Sequence, residues 1–160
     1  MTTSDGRLAI TQRAHDLLVE ELEYLEGEGR ERVIEAIATA RAHGDLSENA
    51  EYHAAREEQG LQEARVRQLR SMIERADIIQ SDDDETVKPG KVVTILHEGD
   101  DEPETYLLGL REEKGAGGHD ILTPTSPLGR ALIGHHAGES VTAEAPAGAL
   151  KVDILAVRAL

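Results

Sequence analysis

Ala42-His43-Gly44-Asp45-Leu46-Ser47-Glu48-Asn49-Ala50-Glu51-Tyr52-His53 lies between two long segments that both read as helix. If those segments run antiparallel, this stretch is the far tip of a narrow hairpin. Gly44 supplies the turn, because glycine tolerates the left-handed backbone that ends a helix. A turn does not require two carboxylates three residues apart, so Asp45 and Glu48 need their own account.

Two accounts fit the spacing. Asp at an N-cap followed three residues later by Glu resembles a capping box, which satisfies orphan backbone donors at a helix start; Ser47 is an alternative cap. The other account is chemical. Two carboxylates offer hard oxygen ligands suited to magnesium, but that ion takes about six oxygens, so the pair is an incomplete site. His43 and His53 flank it, yet histidine suits zinc better than magnesium. A tip that completes another molecule's metal site fits better than a self-sufficient metalloenzyme.

Working outward, Thr11 is placed to cap a helix starting near Gln12. Leu18, Leu22 and Leu25 then recur at helical spacing. Gly27-Glu28-Gly29 interrupts the pattern, and Val33, Ile37 and Ala40 resume it. The expectation is one long helix bent at the glycines and ending at Ala42 or His43, with a full break as the alternative. A second helix is expected from between Leu46 and Asn49 to about Asp77. Its apolar stripe is imperfect, since Arg65 falls inside it, so the pattern implies a two-stranded seam. Roughly 30 residues at about 1.5 Å rise make a rod about 45 Å long.

The arms differ in charge. Asp16 to Glu35 carries eight acidic residues and two arginines; Arg56 to Arg75 carries five arginines and four glutamates. Arg56, Arg67 and Arg70 share one face. They form either a solvated face with i, i+4 pairing or a short basic stripe that meets an RNA or polymerase surface.

Beyond Ile78 the period changes. Ser81-Asp82-Asp83-Asp84-Glu85 reads as an acidic linker and Lys88-Pro89-Gly90 as a turn. Strands are expected at Lys91–Leu96, Glu104–Leu110, His119–Leu122, Ser140–Ala145 and Lys151–Val157. One short helix is expected between them, with Ser126 at its N-cap, Pro127 in its first position and Gly134 at its end. The fold class is therefore α+β. A coiled-coil hairpin spans 8–80 with its tip at 43–49. A linker covers 81–90, and a small antiparallel sheet with one short helix covers 91–160.

Composition narrows the function. The formal net charge is −15, which argues against autonomous binding to nucleic acid while leaving contact inside a basic partner open. There is no Phe or Trp and there are three tyrosines, Tyr24, Tyr52 and Tyr106, so base or sugar stacking is not the main activity. The absence of cysteine excludes disulfides and thiolate zinc sites. No signal peptide or membrane span is expected, and the expected location is cytoplasmic.

The run Ala40-Arg41 through Gln59, with the tip at its centre, closely resembles the signature of the bacterial Gre transcript cleavage factors. Ser126-Pro127-Leu128-Gly129-Arg130-Ala131-Leu132-Ile133-Gly134 resembles that family's second signature. The likeness extends over nearly the whole chain in the same domain order. It implies an antiparallel coiled coil followed by an FKBP-like domain that docks at the rim of the RNA polymerase secondary channel, here through Ser126, Pro127, Leu128, Gly129 and Arg130. The coiled coil would enter the channel. Asp45 and Glu48 would help hold the second catalytic Mg of the polymerase, and Arg41 and Arg56 would contact the extruded 3′ segment of the nascent RNA. No cofactor would be bound by the chain alone. The factor would not be an enzyme; it would stimulate cleavage of backtracked RNA by the polymerase.

The chain departs from the usual pattern at Gly27-Glu28-Gly29-Arg30, where basic residues and a proline are common, and at His135-His136, where lysines are frequent. Its small basic patch resembles the GreA type more than the GreB type. A non-cleaving homologue that occupies the channel, a prolyl isomerase in the C-terminal domain and a coiled-coil adaptor are the alternatives.

Overall fold

Thr11 begins the helical arm as its position requires. In the computed structural model, which describes residues 6–45, 49–80 and 82–160, its Oγ1 accepts the Ala14 N–H at 3.1 Å, and α1 runs from Gln12 to Glu26. Helix α2 spans Glu28–Arg41 and α3 spans Ala50–Arg75. The break between α1 and α2 is a single residue, Gly27, at φ −106° and ψ −106°. Its N–H donates to both Glu23 O (3.0 Å) and Tyr24 O (3.2 Å), and its carbonyl accepts the Glu31 N–H (3.1 Å). The hydrogen-bond ladder thus passes through, and the arm bends there.

The chain divides into two compact units, Asp16–Arg75 and a second comprising the residues up to His15 together with Ala76–Leu160. Within the helical unit, Val33, Ile37 and Ala40 of α2 are buried, as are Ala55, Val66 and Leu69 of α3 and Leu18 of α1. Polar contacts fix the antiparallel direction. Glu21 accepts from Nε and Nη2 of Arg65 at 2.7 and 2.8 Å, Glu26 pairs with Arg70 at 2.5 Å, and Arg30 pairs with Glu63 at 2.9 Å. Arg65, the residue that spoils the apolar stripe, is therefore matched by an acid on the facing arm.

The second unit begins with an element that helical periodicity conceals. Strand β1 (Leu8–Thr11) pairs parallel with β2 (Ala76–Ile79), Leu8 opposite Ala76 and Thr11 opposite Ile79. The second helix consequently stops at Arg75, short of the expected Asp77. Residues 8–11 and 76–79, read from sequence as part of the hairpin, group with the sheet unit.

The main sheet contains β3 (Lys91–His97), β4 (Glu104–Leu108), β5 (Asp120–Leu122), β6 (Ser140–Ala145) and β7 (Gly148–Ala159) in the order β5-β4-β3-β7-β6. It is not wholly antiparallel. β5 pairs parallel with β4, because the connection through the 3₁₀ turns Arg111–Glu113 and Ala116–Gly118 carries the chain back before β5 begins. Helix α4 (Pro127–Leu132) packs on β6. Side chains of β3 alternate: Val93 and Ile95 join Leu108, Leu132, Val141, Val152, Ile154 and Val157 in the main core, while Val92 joins Leu107 and Ala116. Each fully buried aliphatic side chain contributes about 1.5–3 kcal/mol.

The acidic stretch before β3 is not a linker. Val87 is fully buried in the main core, its N–H donates to His135 O at 2.8 Å, and Gly134 N–H donates to Val87 O at 3.0 Å. Lys91, only 4% exposed, places its Nζ against the carbonyls of Asp82 and Asp84 and 3.0 Å from the Asp82 carboxylate. Lys88 pairs with the same carboxylate at 2.7 Å. Hydrogen bonds from Lys88 and Lys91 hold the Asp82 carboxyl down at about 2. Asp82 and Asp84 are the counter-charges of two lysines, one of them buried, and a buried ammonium must be paired.

Candidate functional site at the hairpin tip

The last turn of α2 tightens as it ends. Ala42 N–H donates to Ala38 O, His43 N–H to Ala40 O at 3.2 Å and Gly44 N–H to Arg41 O at 3.3 Å. Gly44 then turns the chain at φ +110°, a backbone that a side chain would strain. Asp45 follows it and is exposed. Leu46, Ser47 and Glu48 lie outside the described residues, so of the two tip acids the structure places Asp45.

The structure answers the capping question in favour of another residue. Helix α3 begins at Ala50, so its N-cap is Asn49. Asn49 Oδ1 accepts the Tyr52 N–H at 3.1 Å, the bond a cap makes to the third helical residue. Asp45 stands four positions before the cap. Glu48, the other half of the expected capping box, and Ser47, the alternative cap, lie outside the described residues.

Around the tip the two arms exchange further contacts. The Arg41 guanidinium lies over the Tyr52 ring, 5.8 Å from its centroid, and His53 meets that ring edge-on at 5.6 Å. His43 Nε2 is 3.7 Å from Glu51 Oε2. Arg56 follows Tyr52 by one helical turn and donates to Gln59 Oε1 at 3.1 Å. This puts Arg41, Tyr52 and Arg56 on one side of the tip. Of the stripe Arg56, Arg67 and Arg70, the last is committed to Glu26. Among the described residues no three His, Cys, Asp or Glu side chains converge into a metal site. Asp45 suits magnesium in kind, as an exposed carboxylate, and would supply only part of its shell.

The second sequence signature divides in two. Ser126 Oγ accepts the Gly129 N–H at 3.0 Å and donates to Thr123 O at 2.8 Å, so it is the N-cap of α4 with Pro127 just inside. A Cβ at Gly129 would lie 2.1 Å from Thr123 O, so that position admits only glycine. Leu128 is half-buried against the core. Arg130 is exposed. Ser126 and Gly129 thus build the helix, and Arg130 is the member most open to a partner. His135 and His136 both face Glu139, at 3.4 and 3.5 Å; the His136 N–H, first, holds that carboxyl below its ordinary range.

Residues 8–78 match the family model "Transcription elongation factor, N-terminal", and residues 81–159 match "Transcription elongation factor, GreA/GreB, C-term". The chain belongs to the GreA/GreB family of transcription elongation factors. Transcription elongation factor GreA of Streptomyces coelicolor is 47% identical over 91% of this chain and 89% of its own length. That of a Chelativorans species is 42% identical over 96% and 98%. Among solved structures, the prokaryotic transcription elongation factor GreA/GreB from Nitrosomonas europaea aligns over 95% of this chain and 98% of its own at 17% identity, with a TM-score of 0.40.

For this GreA/GreB-family chain, sequence reasoning located the tip and missed Asn49 and Tyr52. An N-cap candidate directly before Ala50 and a tyrosine one turn before Arg56 were the signals available.

Proposed function

We propose that this chain binds RNA polymerase, passes its hairpin tip through the secondary channel and stimulates the polymerase's own cleavage of backtracked RNA, so that arrested complexes resume. Family membership supports the elongation role. The observation that carries the mechanism is that Asp45 is exposed directly after the Gly44 turn, four positions before Asn49, the residue that caps α3. The catalytic activity belongs to the polymerase, and the chain acts in the cytoplasm, where that partner is. Among the described residues no helix is long and apolar enough to cross a membrane.

Asp45 and Glu48 are the residues that would hold a magnesium ion jointly with the polymerase. Such an ion supplies activation of a water and stabilisation of the leaving oxygen. The chain's own contribution is to present carboxylate oxygens on a support narrow enough for a channel. Arg41 and Arg56 offer guanidinium groups to RNA phosphates, a contact whose strength falls with salt. Arg130, with the partly exposed Pro127 and Leu128 beside it, belongs to the surface that docks on the polymerase.

The test is RNA cleavage in a backtracked complex. Asp45→Asn and Glu48→Gln should each abolish stimulated cleavage while polymerase binding survives. Cleavage at the parent rate by both variants would remove the mechanism. Inhibition without cleavage by the parent chain would make it a non-cleaving occupant of the channel.

A further inference from the structure

We propose that Asn49 is a positioning residue whose side-chain amide fastens the end of α2 to the start of α3 and so sets the span of the acidic tip. Its effect on cleavage rests on the function proposed above. Its effect on the tip itself does not.

Capping needs an acceptor and nothing else, and Ser, Asp or Asn supplies one about equally well. Asn49 makes a second bond that capping does not explain. Its Nδ2 donates to Ala40 O at 2.5 Å, in the last turn of the opposite arm. Asparagine joins an acceptor and a donor on so short a side chain, so it can serve both arms at once. The Ala40 carbonyl that receives this bond also receives the His43 N–H, which leads directly into the Gly44 turn. One amide therefore joins the point where the chain leaves α2 to the point where it enters α3, with Asp45 between them.

Two neighbouring contacts close the same gap. Arg41 lies over Tyr52, and His43 faces Glu51. Arg41, His43 and Glu51 are exposed, whereas Asn49 is half-buried, and its bond is the shortest of the three. Metal-ligating carboxylates depend on supporting hydrogen bonds for their placement, and losing such support typically costs about 10- to 100-fold in metal affinity. Asn49 gives that support through the backbone, by fixing both ends of the segment that carries the acids.

Asn49→Ser separates the two bonds, keeping an acceptor for the Tyr52 N–H and removing the donor to Ala40. In Asn49→Ser, amide exchange at His43 should accelerate while Tyr52 stays protected and far-ultraviolet helicity is unchanged. Asn49→Ala should release both amides. With polymerase, Asn49→Ser should bind as the parent does, and its cleavage should need about tenfold more Mg2+ for half-saturation, recovering toward the parent rate at high Mg2+. Unchanged His43 exchange in Asn49→Ser would overturn the fastening itself, whether or not the chain stimulates cleavage. Faster His43 exchange with a parental Mg2+ requirement would overturn the positioning role. A loss of cleavage that Mg2+ does not restore would overturn it as well. A parent chain that stimulates no cleavage would fail the proposed function, and the His43 and Tyr52 exchange pattern would then decide the fastening alone.

Discussion

In the sheet unit, one core closes over Val87, Val93, Ile95, Leu108, Leu132, Val141, Val152, Ile154 and Val157, drawn from four strands, a helix and the segment before β3. Near the hairpin tip, the seam is Val33, Ile37 and Ala55 with Tyr52 packed beside them; farther along the arm a single line of buried side chains, Leu18, Val66 and Leu69, is flanked by Arg65–Glu21, Arg30–Glu63 and Arg70–Glu26. Two packed helices offer each other one stripe, whereas a sheet under a helix encloses side chains from several directions. The difference teaches that the hairpin keeps its narrow section by exchanging apolar volume for charge pairs. Its stability should respond to salt, and that of the sheet unit to cavities.

The largest effect should come from Leu132→Ala, which empties a fully buried position in the sheet core and should cost about 3 kcal/mol in urea unfolding. A loss below about 1 kcal/mol would mean that the sheet core is as loose as the seam. Gly129→Ala should follow, at about 2–3 kcal/mol, because its Cβ meets a backbone carbonyl that cannot move cheaply. Arg65→Gln should cost the hairpin about 0.5–1 kcal/mol and lose that difference in 1 M salt (about a 3 Å screening length), since Arg65 and Glu21 are partly exposed. A salt-independent loss would show that the aliphatic stem of Arg65, not its charge, matters to the seam.

The smallest effect sharpens the charge side of the sheet unit. Asp82 is held at about 2 by Lys88 and Lys91, below the ordinary value of about 3.9. A carboxyl depressed on folding stabilises the fold when ionised. Its contribution is complete above about pH 4 and is lost as pH falls toward 2. Burial pushes Glu113 the opposite way, so its protonation relieves a cost as pH falls. Thermal melts between pH 5 and 2 should therefore decline less steeply in Asp82→Asn than in the parent. Equal slopes would remove Asp82 from the acid response.

Much of this was legible in local chemistry. Thr11 and Ser126 cap the helices expected of them, Gly44 makes the turn, and Gly27 bends the arm without cutting its hydrogen-bond ladder. What escaped depends on partners distant in sequence. Leu8–Thr11 and Ala76–Ile79 each abut a helix with no intervening turn residue, so helical periodicity runs over them until their pairing is known. The acids from Asp82 to Glu85 look like a solvated run because nothing local shows that Lys91 is buried. The direction of β5 depends on the path of the chain after Gly109 rather than on its own residues. At the tip, the acid spacing suggested a cap, and a better-placed asparagine had already taken that role.

The parallel pair β1–β2 has a consequence for how such a molecule is assembled and varied. Leu8 and Ala76 stand opposite each other in the pair although the entire helical arm separates them in the chain. The arm is thus a cassette inserted into a discontinuous domain, with its entry and exit held side by side. Closing such an excursion costs entropy that grows only with the logarithm of its length, about 0.6 kcal/mol per doubling. Arms longer or shorter by matched turns could be exchanged at the same two strands without altering the strands that receive them.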